Sequence, residues 1–422
     1  MQKRLMILGS LDEFVRLVQM AGERGIYTIV CDGYKDSPAK QIADKAYDID
    51  VTHTEEIAQV CRQEKVDGII TSFSDLLFEC MVKIASLAGL KCYLTPDKLL
   101  YYRDKTAMKT MFHEIGVPTS KFVTLSADFA DDELKDFHFP VVVKPVDRYG
   151  SRGIFVLDSM EKIRERFAEV SGFSDIPKIL VEEYNDGYEF NMMTWVLDGT
   201  VRVISIADRE KTPIGTEDIP ISTRNVYPSR LYRQVHDEAL EILQKVADYT
   251  GQKDGALSMQ FFWSPGNGIS VCEVAGRFLG YEHELVELGS GFCMEDLLLN
   301  YVYDEAALRA SLMAHDSRMK RCCAVLYFHG QERIVADQTK AREIAGREDV
   351  VFDQIFYRDG ERVVQHGPNP YVARYYVTGD SRAAVDRSTE EIFRRISIKD
   401  PEGREILYPN KMTVYPEAQE DV

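Results

Sequence analysis

The first 95 residues alternate apolar runs with amphipathic stretches, and this alternation limits the possible folds more than any other feature of the chain. The apolar runs have the length and β-branched content of buried strands and cover residues 4–9, 26–32, 66–72 and 91–94. The stretches between them have helical periodicity and cover residues 11–24, 54–64 and 75–88. Strands that alternate with helices favour right-handed crossovers and a parallel sheet with helices on both faces. We therefore predict an α/β unit over residues 1–95.

After Pro96 the pattern becomes richer in strands. Residues 96–115 predict helices that end at Gly116-Val117-Pro118. From about residue 315 short strands and helices mix, which is typical of a small α+β module, and the polar tail after Tyr408 predicts loose attachment. The predicted fold class is α/β and α+β, divided into three units, 1–95, 96–312 and 313–422.

Composition and charge exclude several classes of function. The chain has 51 Lys and Arg against 69 Asp and Glu, a formal net charge of −18, and no run of five basic residues, so we expect neither nucleic-acid nor membrane binding. No apolar stretch reaches the roughly 18 residues of a membrane span, and the N-terminal apolar run is too short for a signal peptide. The eight cysteines form no C-x-x-C pair, which favours reduced thiols in a cytoplasmic protein.

The turn Leu8-Gly9-Ser10-Leu11 joins a strand to a helix, and Asp32 ends the next strand. This arrangement leaves open a nicotinamide or flavin site. However, only Gly9 occupies a position of the G-x-G-x-x-G fingerprint, so the pattern favours a tight structural turn.

An apolar strand pattern ends at Lys144, and a turn with Gly150, Ser151 and Gly153 follows. A lysine at the end of a buried strand needs a negative partner, and glycines let backbone N–H groups approach an anion. The pattern predicts a phosphate clamp. The alternative is an exposed hairpin whose lysine reaches water.

A second strand pattern ends in Glu182-Glu183-Tyr184, and Asn185-Asp186-Gly187 leads into Glu189. Backbone groups at such a hinge can pair with an adenine edge, and a later carboxylate can accept bonds from ribose hydroxyls. The alternative is an ordinary solvated strand end.

Two long strand patterns, 257–263 and 268–274, flank a turn rich in Pro and Gly and predict an antiparallel hairpin. The period of 2 can bring Gln260 and Glu273 to one face, where oxygen ligands suit Mg²⁺, and Arg277 follows. The alternative for Glu273 and Arg277 is a plain ion pair.

Taken in order, these segments resemble the ATP-grasp ligases. The matching motifs are D-K-x-x-M-K at 104–109, V-V-K-P at 142–145, V-E-E-Y at 181–184 and E-x-x-x-R at 273–277. The biotin carboxylase-like, L-amino-acid ligase and phosphoribosylglycinamide synthetase branches are the most similar. The resemblance covers residues 1 to about 400 and implies a Rossmann-like domain, a two-lobed ATP-grasp domain and a small closing module.

The resemblance also implies the nucleotide site. Lys105 and Lys144 are expected at the α- and β-phosphates of ATP, under a loop that contains Gly150 and Ser151. The expected adenine and ribose contacts are Glu182, Glu183 and Asn185 for the base and Glu189 for the sugar.

For the reaction, the resemblance implies Glu273 as a ligand of one or two Mg²⁺ ions, or of Mn²⁺, with Gln260 nearby. Arg277 and Lys144 are the expected catalytic residues. Arg209, Gly280 and His283 are expected near the substrates, although ordinary surface charge for Arg209 and a capping or surface histidine remain alternatives.

Three departures limit the resemblance. Ala275 stands where the family has a metal-binding Asn, and Gln260 replaces the commoner carboxylate, so the metal site is less negative. Phe278-Leu279-Gly280-Tyr281 lacks the residues that act on bicarbonate in biotin carboxylases. Residues 107–110 are similar to a biotin-attachment tetrapeptide, but we predict that Lys109 lies on a helix surface.

The predicted activity is ligation of a small carboxylate to an amine through an acyl phosphate, with release of ADP and phosphate. Two alternatives remain, an ATP-binding protein with weak turnover and, with less support, a nicotinamide-dependent oxidoreductase. Many members of the family are dimers, so a homodimer is also left open.

Overall fold

The computed structural model describes residues 2–146, 153–212, 220–279, 283–364 and 370–416. The first strands, β1 (Arg4–Leu8), β2 (Tyr27–Cys31), β3 (Lys45–Tyr47) and β4 (Gly68–Ile70), form a parallel sheet in the order β3-β2-β1-β4. Its helices are α1 (Asp12–Glu23), α2 (Pro38–Ile42), α3 (Thr54–Gln63) and α4 (Asp75–Ala88). The predicted parallel sheet is therefore confirmed.

Gly9 explains the turn after β1. Its φ is +104°, and a Cβ atom there would lie 2.4 Å from the ring of Phe14 on α1. Asp32 is buried, and its backbone carbonyl accepts a 2.7 Å hydrogen bond from Lys40 Nζ. Glycine is thus required by helix packing, which supports the structural interpretation of this turn.

In the next segment one local prediction is wrong and one is confirmed. Residues 91–94 are not a strand, because Tyr93 instead packs on Phe78 and Tyr301 and donates a 2.9 Å hydrogen bond to the Gly276 carbonyl. The helices predicted over 96–115 are confirmed as a short 3₁₀ turn, α5 (Leu100–Arg103) and α6 (Lys105–Glu114), with a break between α5 and α6. Asp104 causes the break, since its backbone is extended and its side chain caps α6 at the Ala107 N–H, 2.8 Å away.

A second sheet is antiparallel and contains β5 (Phe122–Leu125), β6 (Val141–Pro145), β7 (Phe155–Leu157) and β8 (Ile179–Glu183) in the order β5-β8-β6-β7. Helix α7 (Met160–Ser171) covers one face, where Ile163 and Phe167 pack against Val141, Val143 and Val181. The other face of β6 and β8 is left for the site.

The third sheet has eight antiparallel strands in the order β13-β12-β9-β10-β11-β14-β16-β15. The strands are β9 (Tyr188–Leu197), β10 (Thr200–Lys211), β11 (Ser222–Tyr227), β12 (Gly255–Ser264), β13 (Gly268–Ala275), β14 (Cys322–His329), β15 (Val350–Ile355) and β16 (Tyr371–Gly379). The helices are α8 (Tyr232–Thr250), α9 (His283–Ser290), α10 (Met294–Tyr303), α11 (Glu305–Ala314), α12 (Thr339–Ala345) and α13 (Arg382–Arg395). Because β11 pairs with β14, the sheet continues across residue 312, where the sequence suggested a boundary.

The predicted loose tail is wrong for residues 409–416. The Thr413 N–H donates a 2.9 Å hydrogen bond to Glu210 Oε2, and the Tyr415 ring stacks on Tyr188 with centroids 5.1 Å apart. Glu210 is buried on β10 and pairs with Arg224, so the tail completes a buried ionic network. Within the described ranges, no helix has both the length and the apolar character needed to cross a bilayer.

Candidate functional site

Lys144 and Glu182 lie on the open face of the second sheet. The register pairs Lys144 with Leu180 and Val142 with Glu182, so the lysine and the glutamate point to the same side. Lys144 Nζ lies 2.5 Å from Glu182 Oε2, and both side chains are more than 90% buried. Burial alone would lower the pKa of Lys144, but Glu182 raises it. Burial would raise the pKa of Glu182, but the lysines hold it at about 2.

Lys109 is the second lysine on Glu182, which overturns the prediction that it lies on a helix surface. Only 2% of the residue is exposed, and its Nζ lies 2.8 Å from Glu182 Oε1. The same ammonium donates to Thr119 Oγ1 at 2.5 Å and to the Val271 carbonyl at 3.4 Å. Helix α6 lies between β8 and β13, and for that reason this side chain is enclosed rather than solvated.

Lys105 and Glu273 bring the third sheet into the same site. Burial lowers the pKa of Lys105, and the neighbouring charge of Lys144 lowers it further, while Glu273 and Glu182 act in the opposite direction. Glu273 on β13 pairs directly with Gln260 on β12, so their side chains share one face of the hairpin, as predicted. The cleft therefore lies where the second and third sheets meet.

Glu189 lies farther along the same sheet and is surrounded by donors. Arg209 Nη1 and Lys211 Nζ each pair with one carboxylate oxygen of Glu189, and Gln260 Nε2 donates to Oε1 at 2.6 Å. Burial would raise the pKa of Glu189, but the two cations hold it at about 2. Gln260 thus binds Glu189 through its amide nitrogen while it pairs across the hairpin with Glu273.

Glu183 and Glu182 point to opposite faces of β8, because they are adjacent in a strand. Glu183 Oε1 lies 3.0 Å from His138 Nδ1 and accepts a 3.0 Å hydrogen bond from the His138 N–H. The Glu183 side chain therefore points away from Lys144, and its expected place beside the adenine stays a prediction.

A cavity of 230 Å³ lies between the hinge and the hairpin. Its lining consists of Tyr184, Asn185, Asp186, Phe262, Trp263, Ser264, Asn267, Gly268 and Ser270. Asn185 Oδ1 accepts a 2.9 Å hydrogen bond from the Gly187 N–H, and a Cβ atom on Gly187 would lie 2.9 Å from the Trp263 carbonyl. The close approach of these two backbones sets the width of the cavity and requires glycine at 187.

Arg277 is held by the first unit. Its Nε and Nη2 donate to Asp75 Oδ1 and Oδ2 at 2.7 and 2.5 Å, and its Nη1 donates to the Phe278 carbonyl at 2.9 Å. Asp75 is the first residue of α4. Burial would raise the pKa of Asp75, but Arg277 lowers it. The described ion pair of Arg277 is therefore with Asp75 rather than with Glu273, and the catalytic role of Arg277 stays a prediction.

His283 is buried, so the alternative of a surface histidine is wrong. Its Nδ1 lies 2.7 Å from Glu295 Oε1, and its ring stacks on Phe73 with centroids 4.6 Å apart. Burial alone would lower the pKa of His283, but Glu295 raises it and favours the imidazolium. Gly150, Ser151 and Gly280 lie outside the described residues.

Residues 137–283 match the family model described as "ATP-grasp domain". The chain contains an ATP-grasp domain. Two curated proteins similar to it are formate-dependent phosphoribosylglycinamide formyltransferases. That of Klebsiella pneumoniae (strain 342) is 28% identical over 202 residues, 45% of this chain and 50% of that protein. That of Herminiimonas arsenicoxydans is 26% identical over 263 residues, 59% of this chain and 62% of that protein. The chain thus spans between half and two thirds of these two relatives.

Solved structures extend the similarity over the described fold. The L-amino acid ligase from Bacillus licheniformis has a TM-score of 0.78 at 18% identity, covering 94% of this chain and 99% of that one. The phosphoribosylglycinamide synthetase from Anaerococcus prevotii has a TM-score of 0.72 at 19% identity, covering 95% and 100%. At such identities the similarity shows the fold alone, and it confirms the predicted fold class, with an ATP-grasp domain in the middle of the chain.

Sequence reasoning missed three residues of the site, Lys109, Lys211 and Asp75. Two of them carried a usable signal. Lys109 is four residues after Lys105, so the two share a helix face, and Lys211 is two residues after Arg209, so the two share a strand face. Asp75 lies 202 residues from Arg277, and no local pattern indicates that pair.

Proposed function

We propose that this chain is an ATP-dependent, ADP-forming ligase that joins a small carboxylate to an amine. The supporting observation is the pair of buried lysines on β6 and α6 that share Glu182, with Glu273 acting electrostatically on Lys144, in and next to the residues that match an ATP-grasp domain. The two relatives are named as formate-dependent phosphoribosylglycinamide formyltransferases, and one protein of similar fold is named as an L-amino acid ligase. Both names are compatible with acyl transfer to an amine.

The charge of the cleft supports a polyphosphate ligand. Eight charged side chains among the described residues interact in and around it, five of them positive and three negative, a balance of 5 − 3 = +2 in a chain whose net charge is −18. The positive side chains are Lys105, Lys109, Lys144, Arg209 and Lys211, and the negative ones are Glu182, Glu189 and Glu273. A locally positive cleft in an acidic protein concentrates anions.

In this proposal Lys105 and Lys144 hold the phosphates, and the 230 Å³ cavity beside Asn185 takes the adenine. The side chain of Glu182 pairs with Lys109 and Lys144, and Glu189 lies beside the ribose. The roles of Gly150 and Ser151 in a covering loop, and of Gly280 and His283 near the substrates, remain predictions.

The proposed reaction has two steps. A substrate carboxylate oxygen bonds to the γ-phosphorus of ATP, the bond from phosphorus to the ADP oxygen breaks, and an acyl phosphate forms. The amine nitrogen then bonds to the acyl carbon, phosphate leaves, and the nitrogen loses a proton. The protein contributes position and positive charge, with Lys144 and Arg277 near the transferred group.

The residues present fit one Mg²⁺ ion that is held largely by the nucleotide. Mg²⁺ usually binds through one or two carboxylates together with substrate phosphates and water, and Glu273 supplies one carboxylate. Within the described ranges no group of three His, Cys, Asp or Glu side chains could hold a metal by itself. When bound, Mg²⁺ neutralises phosphate charge.

A second candidate is ATP binding with little turnover. Two departures from the family pattern favour it, Ala275 in place of Asn and Gln260 in place of a carboxylate. In addition, the amide nitrogen of Gln260 donates a hydrogen bond to Glu189. Fewer oxygen ligands would hold the metal less firmly. All eight cysteines, each within the described ranges, are free thiols, which supports the proposed cytoplasmic location for either candidate.

Release of ADP by the purified chain tests both candidates. Mg-ATP is supplied with a panel of amino acids, hydroxy acids and small amines, each alone and in pairs. We expect release only with a particular carboxylate and amine together. Binding of ATP without release for any pair would contradict the ligase and favour the second candidate.

A further inference from the structure

Lys109 is buried between Glu182 on β8 and Val271 on β13, and the proposed function gives it no contact with the phosphates. Its ammonium lies on Glu182 Oε1, Thr119 Oγ1 and the Val271 carbonyl, and only 2% of the residue is exposed. A lysine in such a place is costly unless each of its donors is satisfied. It therefore needs an explanation that a solvated lysine on a helix would not.

We infer that Lys109 is a positioning residue that sets the orientation and effective charge of Lys144. The inference rests on the proposed function, in which Lys144 holds a phosphate. Glu182 is shared, because Oε1 faces Lys109 at 2.8 Å and Oε2 faces Lys144 at 2.5 Å. Each lysine therefore receives one oxygen of the same carboxylate.

The sharing has two consequences for an incoming phosphate. First, Lys109 fixes the plane of the Glu182 carboxylate, and Oε2 in turn fixes the ammonium of Lys144. Second, the three groups carry a balance of 2 − 1 = +1, whereas Glu182 and Lys144 alone would be neutral. Without Lys109, Lys144 would be the remaining cation on the buried Glu182 carboxylate, and this carboxylate would compete with the phosphate for the Lys144 ammonium.

This role differs from a purely structural one in its dependence on the ligand. Loss of the positive charge that surrounds Lys144 weakens the binding of the phosphates and leaves the binding of the nucleoside portion unchanged. A general loss of packing around α6 would weaken both portions alike.

The experiment compares binding of ADP and adenosine to the full-length chain by isothermal titration calorimetry. For Lys109→Met we expect about tenfold weaker ADP binding, since the charge that Lys109, Glu182 and Lys144 together present to the phosphates falls from +1 to zero, and less than about twofold change for adenosine. Lys109→Arg retains the charge and should bind ADP close to the wild type. Equal losses for ADP and adenosine, or no loss for either, would overturn the inference.

A double variant keeps the test independent of folding. Lys109→Met combined with Glu182→Gln removes both charges and again leaves a balance of +1 on Lys144. We expect it to regain most of the ADP affinity lost in Lys109→Met, and thermal unfolding checks that each variant is folded. An ADP affinity that stays as low as in the single variant would refute charge sharing.

The wild-type chain separates this inference from the function on which it rests. A wild-type chain that binds no ADP contradicts the proposed function itself. Wild-type ADP binding together with normal ADP binding by Lys109→Met contradicts only the role of Lys109.

Discussion

The ion pair between Asp75 and Arg277 joins the first α/β unit to the end of the β12–β13 hairpin. The pair is bidentate, with bonds of 2.7 and 2.5 Å, and the exposed fractions of the two side chains are 17% and 11%. Arg103 Nη1 also lies 4.0 Å from Asp75. Asp75→Asn keeps the shape of the side chain and removes the charge that these cations face.

The expected cost follows from this burial. Removing one partner of a buried ion pair costs about 3–5 kcal/mol, and Asn retains one acceptor oxygen, so we place the loss near the lower limit, at about 3 kcal/mol. Asp75 also begins α4, where a negative charge favours the helix dipole by about 0.3–1 kcal/mol, and this contribution is lost as well.

Urea unfolding measures the loss, and the same helix offers a matched control. Lys83 and Glu79 form an i, i+4 pair at 2.6 Å in which 46% of the lysine side chain is exposed. Lys83→Gln should cost only about 0.3–0.5 kcal/mol, as exposed pairs on helices do. The reasoning is refuted if Asp75→Asn lowers the free energy of unfolding no more than Lys83→Gln does.

A double-mutant cycle then assigns the loss to the pair itself. If Asp75 and Arg277 stabilise the fold through each other, the loss in Asp75→Asn with Arg277→Gln should be smaller than the sum of the single losses by at least about 1.5 kcal/mol. Additive losses would mean that each residue acts through other partners.

Two further predictions concern Glu273 and His283. Glu273→Gln removes the one carboxylate of the proposed metal site, so we expect turnover to fall at least about 100-fold while ATP affinity changes less than about threefold. Steady-state kinetics and calorimetry check this, and an unchanged rate would place the metal elsewhere. Glu295 raises the pKa of His283, so their pairing stabilises the fold fully below about pH 6.5 and is lost as the pH rises through the raised folded value. Glu295→Gln should therefore lower the unfolding free energy at pH 6 and flatten its decline above neutral pH, and parallel pH curves for wild type and variant would contradict this.

The parts of the fold with local signals could be predicted from the sequence. The observed bounds of α4 equal the prediction because both of its ends carry capping residues. Ser74 Oγ accepts from the Leu77 N–H, and Gly89 ends the helix with a φ of +71°. The β12–β13 hairpin follows from its turn residues in the same way.

The errors occur where distant contacts override a local pattern. Residues 91–94 have the apolar pattern of a strand, but Tyr93 instead packs on Tyr301, which is far away in the sequence. Tyr415 lies in a polar tail, but its ring stacks on that of Tyr188, which is 227 positions earlier in the chain. Such contacts depend on the sheet order, which the sequence pattern does not specify.

The site shows the same division. The pairing of Gln260 with Glu273 could be predicted because hairpin register and the period of 2 determine it. The period of 2 along β8 also predicts that the adjacent Glu182 and Glu183 point to opposite faces, although the two occur together in one motif. The burial of Lys109 could not be predicted from the sequence, because it depends on β13, whose Val271 lies 162 positions away in the chain.

Binding of Mg-ATP by wild type and Lys144→Ala tests the central claim most directly. Lys135→Ala is the matched control, because Lys135 is 59% exposed and pairs only across one turn with Asp132 in the described structure. Calorimetry should show that the wild type and Lys135→Ala bind alike and that Lys144→Ala binds at least about tenfold more weakly, as expected for loss of a charged contact. Normal ATP binding by a folded Lys144→Ala variant would contradict the assignment of this cleft as the phosphate site.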